Sequence, residues 1–281
     1  MNPVIDIRNL SAQSSAGPIL RDVSLTVSAG EAMALVGESG AGKSTIAKAL
    51  LGILPAGIKV TSGEILFDGT DLLSLPPARM WALLGVRIAL IPQDPLTSLN
   101  PSRRVGDQLT DGLRLRAGMS KADARTRALE LLNDVHIRDA GLVLERYPHE
   151  LSGGMRQRVL IAQAFSLNPQ VIIADEPTTA LDVTVQKQVL RLIRQLQRNH
   201  GTTLLFVTHD LGVVAQICDR MTVLYGGKVL EQGATADVLR APAHRYTQAL
   251  LAANPRYDRP EQSLKPVPEA LIAELKREIS A

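Results

Sequence analysis

Cys218 is the single cysteine in 281 residues, so no disulfide can form within the chain, and a lone thiol suits simple packing in a reducing compartment. No apolar run approaches the ~18 residues that a spanning helix needs, so any work at a membrane would run through a partner. The opening Met1-Asn2-Pro3-Val4-Ile5-Asp6-Ile7-Arg8 lacks a basic segment followed by an apolar one; no signal peptide is expected, and the chain is expected in the cytoplasm. Charge of one sign is scarce too: 31 Lys and Arg face 28 Asp and Glu, the net charge is +3, and no block of like charges occurs. Nucleic acid is therefore not expected as a partner. No repeat of fixed period occurs, and no Phe, Tyr or Trp precedes Phe67.

What the chain has is 45% hydrophobic residues, enough for one large core and a small second one. It also has one stretch around which the rest is arranged. Gly37-Glu38-Ser39-Gly40-Ala41-Gly42-Lys43-Ser44-Thr45 stands between residues 32–36, an apolar run of strand type, and residues 46–51, which continue at helical spacing. The glycines let consecutive N–H groups turn inward on phosphate oxygens, and the helix adds the positive end of its dipole. Lys43 can then reach the β- and γ-phosphates, and Ser44 can offer its hydroxyl to magnesium. The full G-x-x-x-x-G-K-S pattern in strand-to-helix context predicts nucleoside triphosphate binding.

Residues 4–7 and 20–27 read as half-buried strands of an antiparallel sheet that residues 32–36 would join, and residues 63–69 add another strand between glycines. Residues 86–91 read as a strand leading to Gln93. Helical pattern follows over 105–116 and 120–135, with Leu129, Leu132 and Val135 as an apolar stripe, which predicts a helical subdomain over about residues 94–165. Residues 171–174 and 203–207 are continuous apolar runs, as central parallel strands are, and 221–232 read as a hairpin. Pro242, Pro255, Pro260, Pro266 and Pro268 break up the tail, where only 269–279 offers a helix; Ile272, Leu275 and Ile279 share a face that would dock on the protein.

Asp175 and Glu176 end one of the apolar strands, and ligands of open parallel sheets gather at such ends. Asp175 would hold magnesium through its water shell, while Glu176 would polarise the water that attacks a γ-phosphate. Leu151-Ser152-Gly153-Gly154-Met155-Arg156-Gln157-Arg158 opens a helix with Ser152 as a good cap and glycines that admit a phosphate. Alone, the carboxylates could be a solvated loop start and the Ser-Gly-Gly a flexible cap.

In order along the chain, the motifs resemble the ATP-binding subunit of an ABC transporter over about residues 4–238: the phosphate loop, Gln93, the 151–157 signature, Asp175-Glu176, Ala180-Leu181-Asp182, and His209 after a strand. The resemblance implies an α/β fold, a P-loop NTPase core of the RecA-like kind with an antiparallel β subdomain and an inserted helical subdomain. That domain would span residues 1–238, with a C-terminal extension over 239–281. ATP and Mg2+ are the implied cofactors, the metal held by Ser44, Gln93 and Asp175. Glu176, His209 and Gln93 are the implied catalytic residues, with Gln93 and His209 at the γ-phosphate. Ser152, Gly153, Gly154 and Gln157 would face the nucleotide held by a second ATPase subunit, and Asp182 would lie at the interface. ATP would join the two subunits and its hydrolysis release them. The family's adenine-stacking aromatic is missing here; Ala12, Gln13 and Ser14 stand in that neighbourhood, and looser base recognition is expected.

Residues 93–101 and the phrase His244-Arg245-Tyr246-Thr247-Gln248-Ala249-Leu250-Leu251 resemble the oligopeptide, dipeptide and nickel importer group, with Arg245 in place of the usual proline. The linker over residues 51–57 leans to the nickel type. The implied function is ATP hydrolysis that powers import of peptides, nickel or a nickel chelate at the cytoplasmic face of the inner membrane. The implied partners are a second ATPase subunit, different or identical, membrane permeases and, indirectly, an extracytoplasmic solute-binding protein. The tail has no cysteines for an iron–sulfur cluster, and His136, His149, His200, His209 and His244 lack metal-ligand spacing, so this chain is not expected to bind a metal cargo. The alternative is an ABC ATPase acting in translation or DNA maintenance; against it stand the lack of a second ATPase unit, of a long coiled coil and of a basic stripe.

Overall fold

Alternation of buried and exposed side chains builds the first sheet. β1 (Ile5–Ser14) buries Ile5, Ile7, Leu10 and Ala12, and β2 (Gly17–Val27) buries Leu20, Val23, Leu25 and Val27. β3 (Ala32–Val36) is buried on both faces and does not join them, contrary to the sequence expectation; a strand without a polar face belongs inside a parallel sheet. α1 (Lys43–Leu50) follows the phosphate loop. β4 (Lys59–Phe67) and β5 (Thr70–Asp71) complete an antiparallel sheet in the order β2-β1-β4-β5. The computed structural model describes residues 3–179, 181–253 and 267–280, so Ala180, Pro255, Pro260 and Pro266 lie outside the described residues. It divides into two compact units, residues 1–75 with 205–281 and residues 76–204.

The second unit begins with α2 (Pro77–Leu83) and β6 (Ile88–Ile91), followed by the helices α3 (Pro95–Ser98), α4 (Val105–Ala117), α5 (Lys121–Asp134), α6 (Ala140–Glu145) and α7 (Gly153–Phe165). Gly106 lets α4 approach α6, since a Cβ there would lie 2.8 Å from the Leu144 carbonyl oxygen. Along α5 the buried line is Ala124, Ala128, Leu131 and Leu132, and Leu129 of the expected stripe is only half-buried. Small alanines at helical spacing face the neighbouring helices there, which a search for large apolar residues overlooks. β7 (Val171–Asp175) pairs parallel with β6, Ile88 opposite Val171 and Ile91 opposite Ala174, and α8 (Val183–His200) buries Val189, Ile193 and Leu196.

β8 (Thr203–Thr208), buried along its length, returns the chain to the first unit. There α9 (Leu211–Ile217) leads to β9 (Arg220–Tyr225), which pairs parallel with β3 and antiparallel with β10 (Lys228–Ala234). Among the described residues three helices follow, α10 (Thr235–Arg240), α11 (Arg245–Ala253) and α12 (Glu269–Ser280). The sequence expectation missed α11, where Pro242 outweighed a good helical run; Tyr246, Thr247 and Leu250 form its buried face. No helix among the described residues is long and apolar enough to cross a membrane.

The start of α11 is tied to β10 by one carboxylate. Glu231 accepts the backbone N–H of Ala243 (2.7 Å) and of His244 (3.1 Å), and His244 Nδ1 accepts that of Tyr246 (3.1 Å). Burial pushes the Glu231 carboxyl up, but the Thr247 hydroxyl, the two N–H donors and His244 together hold it below the usual carboxylate range. Arg245, standing where the importer group has proline, forms ion pairs with Glu274 (2.7 Å) and Glu278 of α12, whose Leu275 is buried.

Replacing Glu231 by alanine should cost about 1–2 kcal/mol and raise amide exchange over residues 244–250, since helix-start N–H groups lose their acceptor. Because the folded carboxyl titrates below its ordinary value, the contribution is present above the ordinary carboxylate range and lost as pH falls through the depressed value. Denaturant unfolding at neutral and acid pH, with hydrogen exchange, checks both.

Candidate active site

The loop between β3 and α1 is packed from two sides. A Cβ on Gly37 would lie 2.2 Å from the Leu224 carbonyl oxygen of β9, and one on Gly42 2.6 Å from Leu20 Cδ2 of β2; Gly42, at φ 100°, is also in the left-handed region. The Gly227 N–H donates to the Ala41 carbonyl (3.2 Å), and Thr45 and Ile46 N–H donate to Gly42 (3.1 Å each). Lys43 is 5% exposed, and its ammonium donates to the carbonyls of Gly37 (2.7 Å) and Glu38 (2.9 Å). Glu38 is half-buried, while Ser39, Gly40 and Ser44 are open to solvent, so the loop has a closed back and an open face. In the same unit, His209 is exposed just beyond β8. Asp210 beside it starts α9 by accepting the N–H groups of Gly212 (2.8 Å) and Val213 (3.1 Å).

In the second unit, β6 runs out to Gln93 and β7 to Asp175. Glu176 has φ +44°, an unfavourable left-handed conformation for a side chain of this kind, and it turns the carboxylate toward Gln93. Gln93 Nε2 donates to Glu176 Oε2 (3.2 Å), and Thr179 Oγ1 donates to the same oxygen (3.1 Å). Two of the expected residues thus meet, and Thr179 was missed. A hydroxyl three residues after a carboxylate at a strand end was the available signal.

At the start of α7, Ser152 Oγ accepts the Met155 N–H (3.3 Å), with Ser152 and Gly153 exposed. Gly154 brings that turn against α8, where a Cβ would lie 3.0 Å from Val185 Cγ1. Asp182 starts α8, its Oδ1 accepting the N–H groups of Thr184 (3.1 Å) and Val185 (3.0 Å). The expectation for Gln157 is corrected. It lies a turn further along α7, fully buried and with neither amide atom hydrogen-bonded among the described residues. A side chain with no exposure does not meet a nucleotide held by another subunit.

The donors expected to hold a divalent ion are the Ser44 hydroxyl in the first unit and the Gln93 amide and Asp175 carboxylate in the second. All are oxygens, a hard set that suits magnesium. By giving Nε2 to Glu176, Gln93 keeps its amide oxygen as an acceptor.

A glycine loop closed over a buried lysine, a strand-end carboxylate held by a glutamine, and a serine-capped Gly-Gly helix define a P-loop nucleoside triphosphatase of the ATP-binding-cassette class. The chain belongs to the ABC transporter family, whose profile matches residues 20–179; a second profile, the C-terminal region of oligopeptide/dipeptide transporters, matches residues 230–278. It is 48% identical over 271 residues to the probable D,D-dipeptide transport ATP-binding protein DdpD of Escherichia coli, covering 95% of this chain and 83% of that one. It is 45% identical to the dipeptide transport ATP-binding protein DppD of Bacillus subtilis, covering 95% and 81%. Among solved structures, the dimeric ATP-binding cassette MJ0796 with ADP and Pi matches with a TM-score of 0.73 and 29% identity, covering 82% of this chain and 98% of that one. The protein is therefore an ATP-binding transporter ATPase.

Lys43→Ala should weaken ATP binding about 30- to 100-fold, since charge-assisted hydrogen bonds contribute about 2–3 kcal/mol. Isothermal titration with ATP, alongside a melting curve to show that the variant folds, is the check.

Proposed function

We propose that this ATPase powers uptake of short peptides through a membrane transporter. The observation that carries the cargo class is the match of residues 230–278 to the C-terminal region of oligopeptide/dipeptide transporters. The dipeptide names of the relatives point the same way. Nickel rests on the short linker over residues 51–57 alone and takes second place.

ATP binds with its β- and γ-phosphates on the N–H groups of Gly37–Thr45 and on Lys43, with His209 at the γ-phosphate. Ser44, Gln93 and Asp175 would hold Mg2+, which would supply charge neutralisation at the phosphates. Glu176 takes a proton from the attacking water, and the Gln93 and Thr179 hydrogen bonds keep its carboxylate oriented. A second ATPase subunit, identical or different, meets the nucleotide through the exposed Ser152 and Gly153 and the half-buried Gly154, with Asp182 at the interface.

The same glutamine begins the segment that would feel a permease. Leu96, three residues on, is 64% exposed, and Trp81 and Leu115 of the same unit are 59% and 81% exposed. Apolar side chains left in water on one unit suit the cytoplasmic loops of a permease. The subunit then sits peripherally on the cytoplasmic face of the membrane, and an extracytoplasmic binding protein delivers the peptide.

Glu176→Gln should keep ATP binding and lower hydrolysis by about 10²- to 10⁴-fold, the worth of a general base. Cells carrying it should lose uptake of a labelled dipeptide and keep uptake of labelled nickel. Loss of nickel uptake alone would transfer the proposal to nickel. Loss of neither, with the variant expressed and folded, would sink the transport reading in favour of an ABC ATPase of translation or DNA maintenance.

A further inference from the structure

α11 starts against β9, the strand that backs the phosphate loop. Tyr246 is fully buried, the largest side chain to be so among the described residues. Its ring lies 4.8 Å from that of Tyr225 at an interplanar angle of 51°, and Tyr225 follows Leu224, the residue whose carbonyl closes on Gly37. Its hydroxyl makes no hydrogen bond among the described residues, and the Glu38 charge and the Tyr225 phenol act on it electrostatically. Burial and then the Glu38 charge push both phenols up, so both hydroxyls stay neutral at physiological pH.

A second contact reaches the same place. Ile279 of α12 covers Gly226, where a Cβ would lie 2.8 Å from its Cδ1. Gly226 and Gly227 turn β9 into β10; Arg21 donates from Nη1 to the Gly226 carbonyl (2.6 Å) and Gly227 donates to Ala41 in the loop (3.2 Å). The start of α11 is thus fastened by Glu231 and the Arg245 ion pairs, and from there Tyr246, together with Ile279 of α12, bears on the end of β9 and the turn that hold the loop's back.

We propose that Tyr246 is a positioning residue for the phosphate loop, and that docking of the C-terminal helices sets the affinity of this ATPase for its nucleotide. The physical reason is that the loop's inner wall comes from β9 and the turn after it, and these are backed by α11 and α12. A loop whose N–H groups are aimed before ATP arrives loses less order on binding. The proposal rests on the reading of residues 37–45 as the ATP site.

The test is ATP binding by calorimetry and steady-state hydrolysis of the full chain, with Tyr246→Phe, Tyr246→Leu and, as control, Thr247→Val. Thr247 is the neighbouring buried residue on α11, and its hydroxyl acts on the Glu231 carboxylate. Tyr246→Phe keeps the ring against Tyr225 and should bind ATP as the parent does, with an unchanged melting midpoint. Tyr246→Leu removes the ring contact and should weaken ATP binding about three- to tenfold, with KM for ATP rising in step while kcat holds. Thr247→Val should leave the affinity unchanged. Parental affinity in Tyr246→Leu, or affinities that merely follow the melting midpoints, would overturn the proposal. A parent chain that binds no ATP would overturn the reading of the loop itself, and this proposal with it.

Discussion

A buried ammonium is the constraint on which the structure around the loop depends. Burying a cation is costly unless acceptors surround it, and Lys43 finds them in the Gly37 and Glu38 carbonyls of its own loop. Those carbonyls point inward only because the backbone curls without side chains at Gly37 and Gly42, where β9 and β2 come within contact distance. β3, buried on both faces, anchors one end of the curl, and α1 the other. The order of the first unit, from the alternating strands to the β9–β10 turn, serves to hold that ring of carbonyls.

The second unit solves a different problem, that of keeping a half-buried carboxylate oriented. Glu176 is set by an unfavourable backbone angle and by two donors on one oxygen, from Gln93 and Thr179. Since Gln93 also opens the run into α3, any movement of that segment is felt at the carboxylate. Two helix starts lie in the same unit. Ser152 and Asp182 each satisfy backbone N–H groups of their own helix, and Gly154 lets the two starts lie together.

Much of this was legible before any coordinates. The phosphate loop, the strand that ends at Asp175 and the cap at Ser152 are local patterns, each set by residues within a turn of one another. Expectation failed where partners are distant in the chain. β3 was assigned to the antiparallel sheet because its neighbours alternate, although its own lack of a polar face decides otherwise. Gln157 was placed outward because it belongs to the signature phrase, yet helical geometry turns it into the core. Arg245 looked like a lost proline and proves to be the residue that binds α12 to α11.

By itself the sequence determined the chemistry: which residues can hold phosphate, polarise water and cap the helices, because those requirements lie in short, contiguous spacings. Only the tertiary structure decided what stands behind the loop. Leu224, Gly227 and Tyr246 are some two hundred residues from Gly37, and nothing in their local pattern marks them. Contact between them is set by the parallel pairing of β3 with β9 and the docking of α11, both long-range events in which burial of apolar surface chooses the neighbours.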